Sequence, residues 1–390
     1  MTQSAGGNGA PRMNLIKPGR KLSRRAFLQG AAAVGVTTAL GDAVLTSAPW
    51  LDYGRAARAA RELPPIRGEA LPVEMRGRIR AATLAPSGHN TQPWKFAVRG
   101  SIIQIMPDFA WRLPAVDPHD RELWISLGCA LENLVIAAQA AGFDSEIGSP
   151  APGADILTVL LLQASTLGPH TVPLFNAIRH RQNNRALYDG RPISADVLKQ
   201  IKTVTPAPGV SLQMLTDTAR REAVVEYIRA GDWRQFADPA FVAELVSWIR
   251  FNKPEAFHSH DGLYVGCTGN PDVPRWLGRR FLTESSAGQQ ADTSAKKARS
   301  SSGLVVIAAA SDDIPHWIET GRLYERLALT LTTSGVQLAF LNQPAEVPAL
   351  RAQLSGCLGL GTALPQLVIR FGHAPAAPFS LRRPLEEVLV

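Results

Sequence analysis

The stretch APSGHNTQPWKF, residues 85–96, combines a tight turn with side-chain amides. Pro86 and Ser87 begin the turn, and Asn90 and Gln92 follow it. Backbone N–H groups in such a turn, with amide side chains beside them, can donate to and accept from the edge of a planar heteroaromatic ring. On these residues alone, a polar loop that leads into a strand with a core tryptophan is the simpler interpretation.

Two further stretches concentrate cations. RHRQNNRALYDGRPI holds Arg181, Asn183 and Arg185 close together, and the tail APFSLRRPLEEVL adds Arg382 and Arg383. Guanidinium groups beside a short polar side chain suit a phosphate, because they form charge-assisted and often bidentate hydrogen bonds. The alternatives are a solvated basic helix end for the first stretch and an ordinary surface C-terminus for the second.

A weak internal repeat indicates the elements that position these residues. LGCALENLVIAAQAAGF (127–143) aligns with TGRLYERLALTLTTSGV (320–336), so that Gly142 corresponds to Gly335. Apolar residues recur at helical spacing in both, and the two glycines stand where helix-ending glycines are expected. A strand-like run precedes each helix (SIIQIM, GLVVIAAA) and another follows it (DILTVLLLQ, PQLVIRFG). The repeat predicts two α+β halves of similar plan, although any two Ala/Leu-rich helices that end in Gly could align this well.

The N-terminal region has the layout of an export signal. SRRAFL (23–28) precedes an apolar run that is too short to span a bilayer. The adjacent arginines resemble the twin-arginine motif, an address that the twin-arginine export machinery recognises. We therefore expect export to the periplasm or cell envelope, with membrane attachment only if the signal stays uncleaved. The alternative is an amphipathic or buried Ala-rich helix. Ala57-Arg58-Ala59 is a candidate cleavage sequence.

Charge and cysteine content narrow the function classes. Most of the formal net charge of +8 comes from the N-terminal region 1–60, so the basic balance does not indicate nucleic-acid binding. Cys129, Cys267 and Cys357 are far apart in the sequence and odd in number, so neither a paired-cysteine zinc site nor a disulfide framework is indicated. FHSHDG (257–262) is a weak metal candidate, and DPHDRE (117–122) is more typical of a capped helix start, so no metal site is predicted.

Together the three chemical stretches resemble the nitroreductase family of flavin enzymes. In that family Pro-Ser-x-x-Asn-x-Gln-Pro-Trp borders the flavin, while Arg-x-Ser-x-Arg and a C-terminal basic pair hold the phosphate and ribityl of FMN. Asn183 replaces the usual Ser or Thr of the second pattern. The resemblance implies these FMN-binding residues: Pro86, Ser87, Asn90, Gln92, Arg181, Asn183, Arg185, Arg382 and Arg383. No acid or base is assigned, because the flavin carries the redox chemistry.

The motif order resembles the Acg-like branch of the family, in which two nitroreductase-type halves are fused in one chain. That resemblance implies an α+β internal pseudo-dimer, monomeric by duplication, with mixed or antiparallel sheets flanked by helices. The expected divisions are 1–60 for signal and linker, 61–170 for the first half and 171–390 for the second. Since neither half carries both motifs, we expect one FMN site at the interface of the halves.

The resemblance implies an exported FMN-dependent oxidoreductase. It would pass hydride from NADH or NADPH through FMN to a nitro, quinone or similar small-molecule acceptor. The alternatives are an FMN-sequestering protein with a lidded site and little turnover, and a degenerate fold without flavin. The polar stretch 284–303 is predicted to be an exposed loop, and either that loop or residues 257–282 could form the lid.

Overall fold

The computed structural model describes residues 49–63, 71–148, 150, 155–163 and 171–390. The twin-arginine sequence lies outside the described residues. The candidate cleavage sequence Ala57-Arg58-Ala59 lies at the end of helix α1 (Tyr53–Ala59), where Ala57 is buried.

Four strands form the first sheet in the order β1-β2-β4-β3, and every neighbouring pair is antiparallel. Their bounds are Trp94–Arg99 (β1), Ile102–Pro107 (β2), Phe143–Gly148 (β3) and Leu157–Gln163 (β4). Helix α2 (Leu71–Thr83) precedes the sheet, and helix α3 (Arg121–Ala140) connects β2 to β3.

The second sheet repeats this plan with the order β5-β8-β10-β9, again antiparallel throughout. Its strands are Val210–Leu215 (β5), Gly303–Ala309 (β8), Gln337–Phe340 (β9) and Leu364–Gly372 (β10), and helix α11 (Ile314–Thr333) connects β8 to β9. Both sheets therefore share strand order, strand direction and the position of the long helix. The α+β class and the strand-like runs predicted from the sequence are confirmed.

The other elements fill the connections between and around the sheets. They are α4 (Thr171–Ile178), α5 (Ala195–Thr203), α6 (Thr218–Phe236), α7 (Pro239–Trp248), β6 (Ile249–Arg250), α8 (Lys253–Ser259), β7 (Leu263–Tyr264), α9 (Arg275–Glu284), α10 (Ala287–Arg299), α12 (Gln343–Glu346), α13 (Pro348–Leu358) and α14 (Leu385–Val388). Strands β6 and β7 form a short parallel pair.

The two long helices cross at a matched pair of glycines. A Cβ on Gly128 of α3 would collide with the carbonyl oxygen of Ile318, and a Cβ on Gly321 of α11 would collide with that of Ile125. The two contacts are equivalent under the sequence repeat, which aligns Gly128 with Gly321 and Ile125 with Ile318. Only glycine permits so close an approach of the two backbones.

Helix α3 is the most buried long element among the described residues. All of its residues except Gln139 are buried, and Cys129 packs in its core face as predicted. The helix is long and apolar enough to span a membrane by length and composition, but 94% of that stretch is buried within the protein. The following glycines, Gly142 and Gly335, have φ of +86° and +69° and end α3 and α11 as predicted.

The prediction of an exposed loop at 284–303 is wrong, because most of this stretch is helix α10. Ser286 and Gln289 form a reciprocal capping box that begins the helix. The buried face of the helix is a narrow stripe of Ala291, Ala295 and Ala298, and the helix packs against α6. The many Ser, Gln and Lys residues on the outer face concealed this stripe in the sequence.

Candidate functional site

A cavity of about 60 Å³ brings the three chemical stretches together. Seven of the nine predicted cofactor residues line it: Pro86, Ser87, Asn90, Arg181, Asn183, Arg185 and Arg382. Two larger surface grooves, of about 610 and 470 Å³, lie beside α9 and contain none of the predicted residues. The small cavity is therefore the candidate site.

The turn that follows α2 has an unusual backbone. His89, Asn90 and Gln92 have φ of 48°, 58° and 57°, in the left-handed region that costs non-glycine residues free energy. The Ser87 hydroxyl accepts a hydrogen bond from the Gln92 backbone N–H at 2.9 Å, which braces the turn. Ser87 therefore shapes the loop as well as lining the cavity.

The two predicted amides bind the chain itself. Asn90 Nδ2 donates to the Gly262 carbonyl at 3.1 Å, and Gln92 Nε2 donates to the His260 carbonyl at 2.9 Å. Gln92 Oε1 accepts from the backbone N–H of Arg383 at 2.8 Å. Gln92 is fully buried and does not line the cavity, so it connects the turn to the C-terminal tail.

Arg181 is buried against one carboxylate. Its Nε lies 3.1 Å from Glu325 Oε1 of α11, and its Nη2 donates to the Leu84 carbonyl at 2.9 Å. Its Nη1 is buried and has no hydrogen-bond partner among the described residues. Burial raises the pKa of Glu325 to about 7, while Arg181 opposes that shift. The free Nη1 leaves Arg181 with one donor for a ligand in the cavity.

Arg382 caps the C-terminal end of α2. Its Nε donates to the Thr83 carbonyl at 2.9 Å, and its Nη2 donates to the Leu84 and Ala85 carbonyls at 3.2 and 3.3 Å. Its Nη1 donates to Asn90 Oδ1 at 3.0 Å. A cation is favoured here because the carbonyl end of a helix is negative. Burial, with the charge of Arg181, lowers the pKa of Arg382 to about 9.

Arg383 does not line the cavity. Its guanidinium stacks over the Trp111 ring at 4.0 Å, and its Nη1 donates to the Gln92 carbonyl at 3.2 Å. A longer contact of 3.8 Å joins the same Nη1 to Asp108. Arg383 thus holds the tail against the turn, while Arg382 beside it lines the cavity.

Arg185 has the fewest polar contacts of the predicted cations. It is half-buried at the cavity and has no hydrogen bond or ion pair with the described residues. Burial lowers its pKa, and burial together with the Arg185 charge lowers the pKa of His89 to about 4. Nearby, Asn183 Oδ1 accepts from the Tyr324 hydroxyl at 2.9 Å.

Four guanidinium groups line the cavity, and one carboxylate among the described residues pairs with them. Arg61, Arg181, Arg185 and Arg382 contribute the cations, and Glu325 pairs with Arg181 alone. The sequence analysis did not single out Arg61, because it belongs to none of the three stretches. Unneutralised buried cations raise the potential of a site, so an anion with more than one charge, such as a phosphate monoester, fits this donor set.

Residues 260–268, which we call the cover segment, close over the cavity. Gly262, Leu263, Tyr264 and Cys267 line it from this side. Asp261 of the cover segment forms an ion pair with Arg250 at 2.6 Å, which helps to hold the segment in place. Pockets that bind drug-sized ligands measure about 300–1,000 Å³, so a phosphate fits the present space but a tricyclic ring needs more room than this cavity offers.

The weak metal candidate FHSHDG (257–262) overlaps the start of the cover segment. His260 has a left-handed backbone with φ of 56°, and its carbonyl accepts from Gln92. Asp261 is engaged by Arg250 and His258 lies on α8. Within the described ranges, no group of three His, Cys, Asp or Glu residues is placed to hold a metal ion.

Comparison with known proteins gives distant relatives. No protein-family model matches the chain. "Putative NAD(P)H nitroreductase Rv3131" of Mycobacterium tuberculosis (strain H37Rv) is 24% identical over 328 residues, covering 80% of this chain and 89% of the relative. "Putative NAD(P)H nitroreductase acg" of the same strain is 22% identical over 325 residues, covering 80% and 94%.

Two solved structures give low overall superposition scores. A structure titled "putative nitroreductase" from Anabaena variabilis has a TM-score of 0.43 and 10% identity, covering 82% of this chain and 91% of its own. The FMN-dependent nitroreductase NfnB from Mycobacterium smegmatis, in complex with NADPH, has a TM-score of 0.37 and 14% identity, covering 55% and 96%. This chain is therefore similar, over four fifths of its length, to two relatives that are both named "Putative NAD(P)H nitroreductase".

Proposed function

We propose that this protein is an FMN-dependent oxidoreductase of the nitroreductase type, with one FMN site per chain. The observation that carries the proposal is the cavity itself. Three stretches that are far apart in the sequence meet there, and four guanidinium groups face one space with one carboxylate partner. The names of the sequence relatives favour NADH or NADPH as the electron donor.

The proposed roles of the residues follow from their contacts. Arg181 and Arg185 hold the phosphate, because both line the cavity and keep donors that no described residue uses. Arg382 adds positive charge beside them, since its own donors bind the carbonyls at the end of α2 and Asn90. Asn183 lies beside them and supplies a polar partner for the ribityl chain. When bound, FMN supplies the hydride-transferring centre, and the protein binds and orients it.

The ring side of the proposed site is formed by the turn at 86–92. Pro86, Ser87 and Asn90 line the cavity and border the ring. Gln92 and Arg383, which the resemblance also assigned to the cofactor, act instead as positioning residues, because their polar groups bind each other and the tail. This division separates the residues that touch the ligand from those that hold the turn.

The proposal includes an internal pseudo-dimer with halves at about 61–170 and 171–390, and hence a monomer. It is supported by the identical strand order of the two sheets and by the equivalent glycine contacts of α3 and α11. A two-fold arrangement within one chain reproduces the symmetry of a homodimer. The proposal also retains export by the twin-arginine route, which is supported by the sequence at 23–28.

A second candidate function is FMN storage without rapid turnover. The observation that favours it is the cover segment, which lines a cavity of only about 60 Å³ in all. If the cover segment closes over bound FMN, a nicotinamide cannot stack on the ring. The acceptor for the oxidoreductase function would be a nitro compound, a quinone or a similar small molecule.

The test is a visible absorption spectrum of the purified protein, followed by anaerobic addition of NADPH or NADH. Flavin bands that bleach on addition of the nucleotide and return with a nitro or quinone acceptor are expected for the oxidoreductase. Flavin bands that persist favour storage. Protein that shows no flavin bands, even after incubation with FMN, contradicts both functions.

A further inference from the structure

The N-terminal segment reaches the cavity without belonging to any of the three chemical stretches. Helix α1 packs through Tyr53 and Ala57 against Ala256, Tyr264 and Leu381. The Tyr53 hydroxyl donates to the Phe379 carbonyl at 3.1 Å, and its ring lies 4.7 Å from the ring of Tyr264. This helix therefore binds both the cover segment and the part of the tail that carries Arg382.

Arg61 follows this helix and extends into the cavity. It is 4% exposed, and its guanidinium lies 4.3 Å over the Phe379 ring. Its Nη1 donates to the Arg181 carbonyl at 3.1 Å and to the Arg179 carbonyl at 3.4 Å. Its Nε is buried without a hydrogen-bond partner in the described part of the chain. One guanidinium thus braces the backbone of the phosphate stretch and keeps a free donor.

We propose that Arg61 is a further phosphate-binding arginine, which makes the segment after the export signal part of the cofactor site. The inference rests on the proposed function. It accounts for the burial of Arg61, a cation that has no carboxylate partner among the described residues and that shares its cavity with three other arginines. The charges of Arg382 and Arg181 add to burial in lowering the Arg61 pKa, which places all three within one electrostatic field. A phosphate dianion would stabilise the charged form of each.

The experiment compares FMN with riboflavin, which lacks the phosphate, on the full-length chain. In R61M the side chain keeps its approximate length and loses its charge. We expect the dissociation constant for FMN to rise by about tenfold or more, since hydrogen bonds between charged groups have that strength. The constant for riboflavin should change less than about twofold. R58M is the matched control, because Arg58 lies exposed on α1 outside the cavity.

Two results would overturn the inference while leaving the proposed function intact. One is an FMN affinity of R61M equal to that of the wild type. The other is an equal loss for FMN and riboflavin, which would assign Arg61 to the folding of the pocket as a whole. If the wild type binds neither flavin, the proposed function fails. In that case, thermal unfolding with inorganic phosphate at constant ionic strength tests whether Arg61 binds phosphate. The inference requires that phosphate raise the unfolding midpoint more in the wild type than in R61M.

Discussion

Two buried glutamates occupy equivalent positions in the repeat and have different partners. Glu325 of α11 pairs with Arg181, which comes from the loop after α4 and lines the cavity. Glu132, its counterpart on α3, pairs with Arg322 at 3.1 Å and also with Arg326, and both of these belong to α11. Neither Arg322 nor Arg326 lines the cavity.

Under the proposed function, this difference would explain why only one of the two equivalent positions serves an anion site. Removing one partner of a buried ion pair is strongly destabilising, because it leaves an uncompensated charge. Arg322 and Arg326 compensate Glu132 from the opposite helix, so this position needs no arginine from a cofactor loop. Both long helices therefore contribute equivalently to their crossing, whereas a cavity-lining arginine pairs with the glutamate of α11 alone.

The largest expected effect is on the free energy of unfolding, at the crossing of α3 and α11. Because each Cβ would meet a backbone carbonyl, we expect G128A and G321A each to lower the free energy of unfolding by about 3 kcal/mol, as overpacking does. G356A in α13 is the matched control, since open space surrounds that glycine, and it should stabilise the helix by about 0.5–1 kcal/mol. Urea unfolding measures all three. A large loss in only one of the two crossing glycines would argue against an equivalent packing role.

The next effect is on FMN affinity, and it compares the arginine that pairs with Glu325 with one that pairs with Glu132. We expect R181Q to weaken FMN binding by about a hundredfold, because it removes a guanidinium with a free donor in the cavity. R326Q, which removes one of the two partners of Glu132, should leave the FMN affinity unchanged. Quenching of FMN fluorescence gives both constants. Equal losses in the two variants would contradict the assignment of a single site.

The last effect is a pH dependence at Glu325. Burial raises its pKa from 4.5 to about 7, so the folded chain retains a proton that the unfolded chain releases. The contribution of Glu325 to stability therefore falls as pH rises from about 4.5 to about 7. E325Q cannot titrate there, so its stability relative to the wild type should rise across this window and then level off. The low pKa of His89 acts in the opposite direction, but it is common to both proteins.

Thermal unfolding midpoints of the cofactor-free wild type and E325Q, measured between pH 5 and pH 8, test this. Two parallel curves would show that Glu325 does not take up a proton on folding in this range. E132Q provides the comparison at the equivalent position.

The repeat and its flanking strands could be predicted because they depend on local periodicity. The alignment of the two long helices, the strand-like runs and the terminal Gly142 and Gly335 all appear as short-range patterns, and the structure confirms them. Helix α10 could not be recognised in the same way. Its buried face consists of three alanines, and its polar residues are those of a typical loop.

The site was predictable only as far as its motifs extend. Seven assigned residues line the cavity, but the side chains of Gln92 and Arg383 each bond the backbone of the other residue. Such a contact between distant parts of the chain has no local sequence signal. Arg61 and the cover segment lie outside the motifs, and the packing of Tyr53 and Leu381 brings them to the cavity. Contacts of this kind depend on the folded chain, so their sequence signal is weak.

The most direct test of the central claim is a calorimetric titration of the full-length, cofactor-free protein with FMN. We expect saturation at one FMN per chain, because Arg181 and its neighbours form one cationic cavity among the described residues. Two FMN molecules per chain would show that both halves retain a site. Saturation at one FMN per two chains would assign the site to an intermolecular dimer, and no heat of binding would remove the cofactor from the account.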